Sequence, residues 1–166
     1  WLTPLATGGM LGAFCLTEPH VGSEAAGLRT TAVRDGDHWV LNGSKTFITN
    51  GYQADLVIVA TRTDPSKGAK GITLFMVEDG MEGFTRGRKL DKVGQEESDT
   101  AELFFQDVRV PDSNRIGDEG MGFIAMMQRL PQERVGAACA NVAHAKQILL
   151  ETIEYAKERK AFGQSI

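Results

Sequence analysis

Through roughly residue 116 the apolar positions come in short runs of Val, Ile, Phe, Thr and Leu set off by Gly, Asp, Asn and Pro, the spacing of an all-β segment. The runs predict strands at Gly12–Thr17, Leu28–Arg34, His38–Leu41, Lys45–Thr49, Leu56–Thr61, Ile72–Val77 and Thr100–Phe105, with a shorter piece at Val108–Val110. Asp35-Gly36-Asp37 has the composition of a tight turn between the second and third. Many short strands with no helix between them predict an antiparallel sandwich or barrel rather than a parallel α/β sheet.

Near Ile116–Gly120 the period becomes helical. Val135, Ala138, Cys139, Val142, Leu149, Ile153 and Ala156 recur at three-, four- and seven-residue steps and form one apolar stripe, while Glu151, Glu154, Lys157 and Glu158 lie on the other side. Proline lacks the amide a helix interior needs, so Pro131 predicts a short helix near Met121–Leu130 and a long one near Gln132–Lys160. An amphipathic helix draws most of its stability from packing. With no second helix in the chain to receive it, the stripe predicts membership of a helical bundle.

Composition narrows the classes. With 166 residues, 42% of them hydrophobic, the chain can bury one domain and part of another. A net charge of -4 with no Lys/Arg run leaves no nucleic-acid footprint. No apolar stretch approaches the roughly 20 residues of a membrane span, and no basic-then-apolar leader opens the chain. Cys15 and Cys139 form no CxxC or zinc spacing and read as buried thiols of a reducing compartment. His20, His38 and His144 show no ligand spacing, so no metal site is expected. The chain begins at Trp1 without an initiating Met and reads as an excerpt of a longer protein.

The segment richest in chemistry is Ala13-Phe14-Cys15-Leu16-Thr17-Glu18-Pro19-His20-Val21-Gly22-Ser23-Glu24. A strand runs into a loop carrying hydroxyls at Thr17 and Ser23, and Gly22 permits close backbone approach. Such a loop presents N–H and O–H donors to a phosphate or to polar ring atoms. Taken alone, the same residues also suit an ordinary loop capped by Thr and Ser.

This segment resembles the signature of the acyl-CoA dehydrogenase family, in which Thr-Glu-Pro leads through small residues to Gly-Ser. Four further resemblances follow in order. They are Asn42-Gly43-Ser44-Lys45-Thr46-Phe47-Ile48-Thr49-Asn50-Gly51, Phe105-Gln106-Asp107-Val108-Arg109-Val110-Pro111, Glu133-Arg134, and Arg159-Lys160-Ala161-Phe162-Gly163. Gly87-Arg88-Lys89-Leu90, Asp99–Phe105 and Leu130-Pro131-Gln132-Glu133-Arg134 are most similar to the long-chain branch. His20, Val21 and Glu24 depart from the Gly, Ala and Asp usual in the family, and Ile124 stands where long-chain members can carry an aromatic.

The resemblance implies an α+β multidomain protein: the end of an N-terminal helical domain at 1–11, an antiparallel β-barrel middle domain at 12–117, and the first long helix of a helical bundle at 118–166. It implies FAD as cofactor, held by Phe14, Leu16, Thr17, Gly22, Ser23, Phe47, Ile48 and Thr49, with Arg159 reaching the pyrophosphate of a neighbouring subunit. It implies an acyl-CoA substrate touching Ser23, Pro131, Gln132, Glu133 and Arg134, with Glu133 as the base that takes the α-proton in a dry pocket. Electron-transferring flavoprotein, a tetrameric or dimeric assembly, and a bacterial cytoplasm or mitochondrial matrix are implied as well. The residues keep plainer readings beside these. Phe47 suits a core aromatic, Glu133 a helix N-terminal carboxylate after Pro131, and Arg159 a solvated charge. An acyl-CoA oxidase, a flavin monooxygenase-like relative and a non-catalytic β-barrel binding module remain as alternatives of the same scaffold.

Overall fold

The computed structural model describes all residues, 1–166. A short helix α1 (Leu2–Thr7) precedes strands β1 (Gly12–Cys15), β2 (Thr31–Asp35), β3 (His38–Thr49), β4 (Leu56–Arg62), β5 (Ile72–Glu78), β6 (Phe84–Lys89), β7 (Thr100–Pro111) and β8 (Arg115–Ile116). Helix α2 (Gly122–Glu158) follows, then a small hairpin of β9 (Lys160–Ala161) and β10 (Gln164–Ser165). The chain divides into two compact units, Trp1–Ile124 and Ala125–Ile166.

The first unit is one eight-stranded sheet in the order β6-β7-β3-β2-β4-β5-β8, with β1 attached to β4. It is neither closed nor wholly antiparallel, which corrects the expected antiparallel barrel. No ladder joins the outer strands β6 and β8. The parallel strand β1 takes Leu56–Val59 of β4, so β2 meets that strand only at Arg62. The contiguous core includes Cys15, Trp39, Leu41, Ile48, Val57, Val59, Phe75, Leu103, Phe105, Val108 and Val110. Trp39 leans on Phe75 with ring centroids 5.2 Å apart, and its indole N–H donates to Asp112 at 2.7 Å.

Two strands are longer than their apolar runs suggest. Asn42-Gly43-Ser44 has turn composition, yet β3 passes straight through it. Gly43 is required there for space: a β-carbon at that position would lie 2.7 Å from Cα of Thr30. Opposite, Gln106 and Asp107 share the place of one residue, and Asp107 adopts φ 52°. Asn42 Nδ2 donates to Asp107 Oδ1 and the Asp107 amide donates to Asn42 Oδ1, both at 2.9 Å, so the bulge is closed by its own side chains. Strand β6 has one buried residue, Phe84, among polar neighbours, which is why no apolar run marks it.

The second unit is mainly helical. Pro131 does not split it, contrary to expectation: α2 is continuous from Gly122 to Glu158. Proline removes one helical bond, whereas each of the many residues on either side still adds its own. Val135, Val142, Leu149 and Ile153 of the stripe are exposed along it. Cys15 and Cys139 are both free thiols, the first buried as expected and the second exposed on α2. No helix is long and apolar enough to cross a membrane.

Candidate functional site

A second bulge in β3 sets the geometry of the site. Lys45 pairs with Leu103 and Ile48 with Ala101, so Thr46 and Phe47 together face Glu102. Strict alternation from the buried Lys45 would carry Phe47 inward. The extra residue instead turns it out, leaving Lys45, Thr46 and Ile48 buried while Phe47 is 67% exposed. Phe47 takes φ 58°, a left-handed conformation that costs a bulky side chain on the order of 1–3 kcal/mol. Its exposed ring recovers little of that by burial. The core reading of Phe47 is thereby corrected.

Beside it, β1 points Ala13 and Cys15 into the core and leaves Phe14 41% exposed. Burial pushes the Cys15 thiol up to about 12 against the weaker pull of Lys45, so it stays a neutral core thiol. Past Cys15 the chain makes a tight reversal in which Glu18 and Val21 exchange backbone hydrogen bonds of 2.9 and 3.1 Å. The amide of Thr46 donates to the carbonyl of Thr17 at 2.9 Å, bringing the loop alongside the Phe47 bulge. Leu16 and Thr17 are half-buried, and Thr49, Gly22 and Ser23 are exposed. Nothing lies within 4 Å of where a β-carbon on Gly22 would stand.

Beneath the loop lies a polar cluster that apolar patterning does not reveal. Lys45 and Glu18 are both buried, and Lys45 Nζ donates to Glu18 Oε1 at 2.8 Å and to the Leu16 carbonyl at 3.1 Å. Oε1 also accepts from the Thr30 amide at 2.9 Å and the Thr30 hydroxyl at 2.6 Å. Oε2 accepts from the Arg29 amide at 2.7 Å and lies 3.3 Å from Nε2 of His20. Burial pushes the Glu18 carboxyl up, but the hydrogen bonds from Lys45 and Thr30 outweigh it and hold the group below the usual carboxylate range. Burial draws the Lys45 ammonium below the ordinary lysine value, with Glu18 opposing. The clue in the sequence was a lysine at an inward strand position.

The expected site residues fall in two groups. Phe14, Leu16, Thr17, Gly22, Ser23, Phe47, Ile48 and Thr49 belong to the sheet unit, where the side chain of Ile48 lies in the core and leaves only backbone for a ligand. Pro131, Gln132, Glu133 and Arg134 are exposed on α2 in the helical unit. Arg159 follows the helix end, its guanidinium 3.2 Å from the Tyr155 hydroxyl and otherwise exposed. The dry surroundings expected for Glu133 are not supplied by this chain, in which the residue is exposed. No cluster of His, Cys, Asp or Glu suits a metal ion.

The sheet-unit group fits FAD. An isoalloxazine needs a flat apolar partner and donors along its pyrimidine edge, and a pyrophosphate needs small residues and hydroxyls. Phe47 and Phe14 offer exposed rings, Thr17 on the adjoining loop and Thr49 on the same strand carry hydroxyls, and a β-carbon on Gly22 would meet nothing within 4 Å.

Comparison with known proteins agrees. Residues 13–108 match the family described as acyl-CoA dehydrogenase, middle domain, and residues 120–166 match acyl-CoA dehydrogenase, C-terminal domain. The long-chain specific acyl-CoA dehydrogenase of Sus scrofa mitochondria is 48% identical over the whole of this chain and 39% of its own length. The short-chain specific acyl-CoA dehydrogenase of Megasphaera elsdenii is also 48% identical, over the whole chain and 44% of its own length. The crystal structure of acyl-CoA dehydrogenase from Geobacillus kaustophilus superposes with a TM-score of 0.96 at 50% identity, over 99% of this chain and 44% of that one. The chain thus spans about two fifths of the relatives it matches. It belongs to the acyl-CoA dehydrogenase family, whose members are FAD-dependent oxidoreductases.

Proposed function

We propose that the protein containing this chain oxidises a fatty acyl-CoA thioester to the trans-2-enoyl-CoA, in fatty acid β-oxidation, and passes the electrons to electron-transferring flavoprotein. The observation that carries the reading is the bulge that turns Phe47 outward beside Thr17, exposing an aromatic ring at a backbone conformation it disfavours. Equal identity to long-chain and short-chain relatives supports fatty acyl-CoA as the substrate class without choosing a length.

Glu133 takes the proton from the carbon α to the thioester, while the β carbon loses hydrogen with its electron pair and the α,β double bond forms. FAD, when bound, supplies the two-electron acceptor for that hydride. Phe47 and Phe14 would supply the apolar surface against the ring and keep water from it. Thr17 and Thr49 would offer hydroxyl donors to its polar atoms, which would favour the electron-rich reduced form. Gly22 and Ser23 bind phosphate, Ser23 reaching toward the CoA portion. Pro131, Gln132 and Arg134 orient the segment that carries the base. Arg159 presents an exposed guanidinium, held on one side by the Tyr155 hydroxyl, of the kind that suits pyrophosphate in a neighbouring subunit of a tetramer or dimer. A bacterial cytoplasm or a mitochondrial matrix accommodates this chemistry.

The test is made on the full-length protein. It should purify with bound FAD and, supplied with acyl-CoA and electron-transferring flavoprotein, release trans-2-enoyl-CoA. A colourless protein that binds no FAD would sink the reading. Turnover with oxygen but not with the flavoprotein would make it an oxidase.

A further inference from the structure

The geometry points to Lys45 and Glu18 as positioning residues for the flavin, which hold the Leu16–Thr17 loop against β3 so that the Thr17 hydroxyl and the Phe47 ring face one ligand. The inference rests on the FAD reading above and adds residues that reading does not use.

Three observations carry it. Lys45 Nζ spends one of its donors on a backbone carbonyl, that of Leu16, which precedes Thr17 directly. The neighbouring Thr46 amide fixes the carbonyl of Thr17 itself, so residues 45 and 46 grip residues 16 and 17 from one side. Glu18 uses its oxygens on the Arg29 and Thr30 amides as well as on Lys45, tying together three segments well separated in sequence. The ties land where the loop leaves and rejoins the sheet, and Phe47, the second residue of the bulge, follows Lys45 by two residues.

Stability alone explains the pair badly. Two buried charges lose hydration that their attraction scarcely returns, and well-packed apolar residues of similar volume commonly serve as well or better. What an apolar pair cannot do is hold the Leu16 carbonyl. The pair therefore fixes loop geometry, and the cofactor is what gains.

The experiment uses the full-length protein stripped of flavin and titrated with FAD, comparing wild type, Lys45→Met, Glu18→Gln and the double variant. Three quantities are read: FAD affinity, the visible spectrum of bound flavin, and the melting temperature of the apoprotein. Each variant should bind FAD at least tenfold more weakly and with a shifted spectrum. The double variant should regain the melting temperature lost by Lys45→Met, because no lone charge stays buried, yet should not regain FAD affinity.

Recovery of affinity and spectrum together with stability would reduce the pair to a structural one and overturn the inference. So would a folded Lys45→Met with wild-type affinity. Should Lys45→Met fail to fold, Thr30→Val decides beside the double variant. It removes the 2.6 Å hydroxyl bond to Glu18 and the 3.5 Å one to the Ser44 carbonyl while leaving the Lys45–Glu18 pair in place, and should weaken FAD about threefold with a smaller loss of apoprotein melting temperature than Lys45→Met. Wild-type affinity in both would overturn the proposal. A wild-type protein that binds no FAD overturns the functional reading as well, whereas FAD binding insensitive to all four changes overturns this inference alone.

Discussion

Thr46 donates its backbone N–H to the carbonyl of Thr17 at 2.9 Å, across 29 residues of sequence. That bond sets the Leu16–Ser23 loop beside the one aromatic residue of β3 that the sheet turns outward. Lys45 strengthens the same junction from below. If the proposed FAD site is right, cofactor binding and sheet stability share these residues, and variants should separate the two.

Phe47 is the clearest case. Its left-handed φ favours glycine, and its ring is mostly exposed, so Phe47→Gly should stabilise the apoprotein or leave it unchanged, by up to about 1 kcal/mol. The same substitution should weaken FAD binding at least several-fold. Chemical denaturation of the apoprotein beside an FAD titration checks both. A destabilised apoprotein with normal FAD affinity would mean that the ring belongs to the core after all.

The buried carboxylate makes stability depend on pH in one direction. The folded-state value of Glu18 lies below the ordinary one, so as pH falls from the ordinary carboxylate value toward the folded one, the unfolded chain binds the extra proton and stability drops. Above that window the contribution is complete. Glu18→Gln lacks it at every pH. Thermal melts from neutral to acid pH should therefore show the gap between wild type and Glu18→Gln narrowing as pH falls; a gap that widens would contradict the assignment.

Two glycines that both have positive φ should respond differently to alanine. Gly83 (φ 82°) faces the Gln106 carbonyl so closely that a β-carbon would stand 2.0 Å from its oxygen, whereas Gly36 (φ 64°) has nothing within 4 Å. Gly36→Ala should cost about 1 kcal/mol for the left-handed backbone alone, and Gly83→Ala more than about 2 kcal/mol. Equal losses by denaturant unfolding would show that the turn from Gly83 into β6 yields.

Much of this was legible in the residues. Alternation and turn composition located every strand but β6, β8 and the two of the terminal hairpin, and the change of period near Gly120 located α2. What misled was local. Asn42-Gly43-Ser44 looks like a turn, but its glycine admits Thr30 rather than reversing the chain. Pro131 looks like a break, but one missing bond does not stop a 37-residue helix. The antiparallel barrel failed because β1 and β2 lie parallel to β4 and no ladder joins β6 to β8, long-range choices that no local pattern encodes. At the site, the motifs named Thr17, Phe47 and Thr49, but nothing in them showed that a bulge faces Phe47 outward or that Glu18 and Lys45 meet underneath. Those features depend on register and on contacts between segments far apart in sequence.

In the proposed reaction Glu133 takes the α-proton of an acyl thioester and bound FAD accepts the hydride. Anaerobic rapid mixing of acyl-CoA with full-length enzyme, wild type against Glu133→Gln, tests it most directly through the loss of oxidised-flavin absorbance. Wild type should bleach promptly, and Glu133→Gln should keep its FAD and bind acyl-CoA yet bleach slower by roughly 10²–10⁴-fold or more, the span a positioned base contributes. Bleaching of Glu133→Gln at the wild-type rate would show that another group takes the proton.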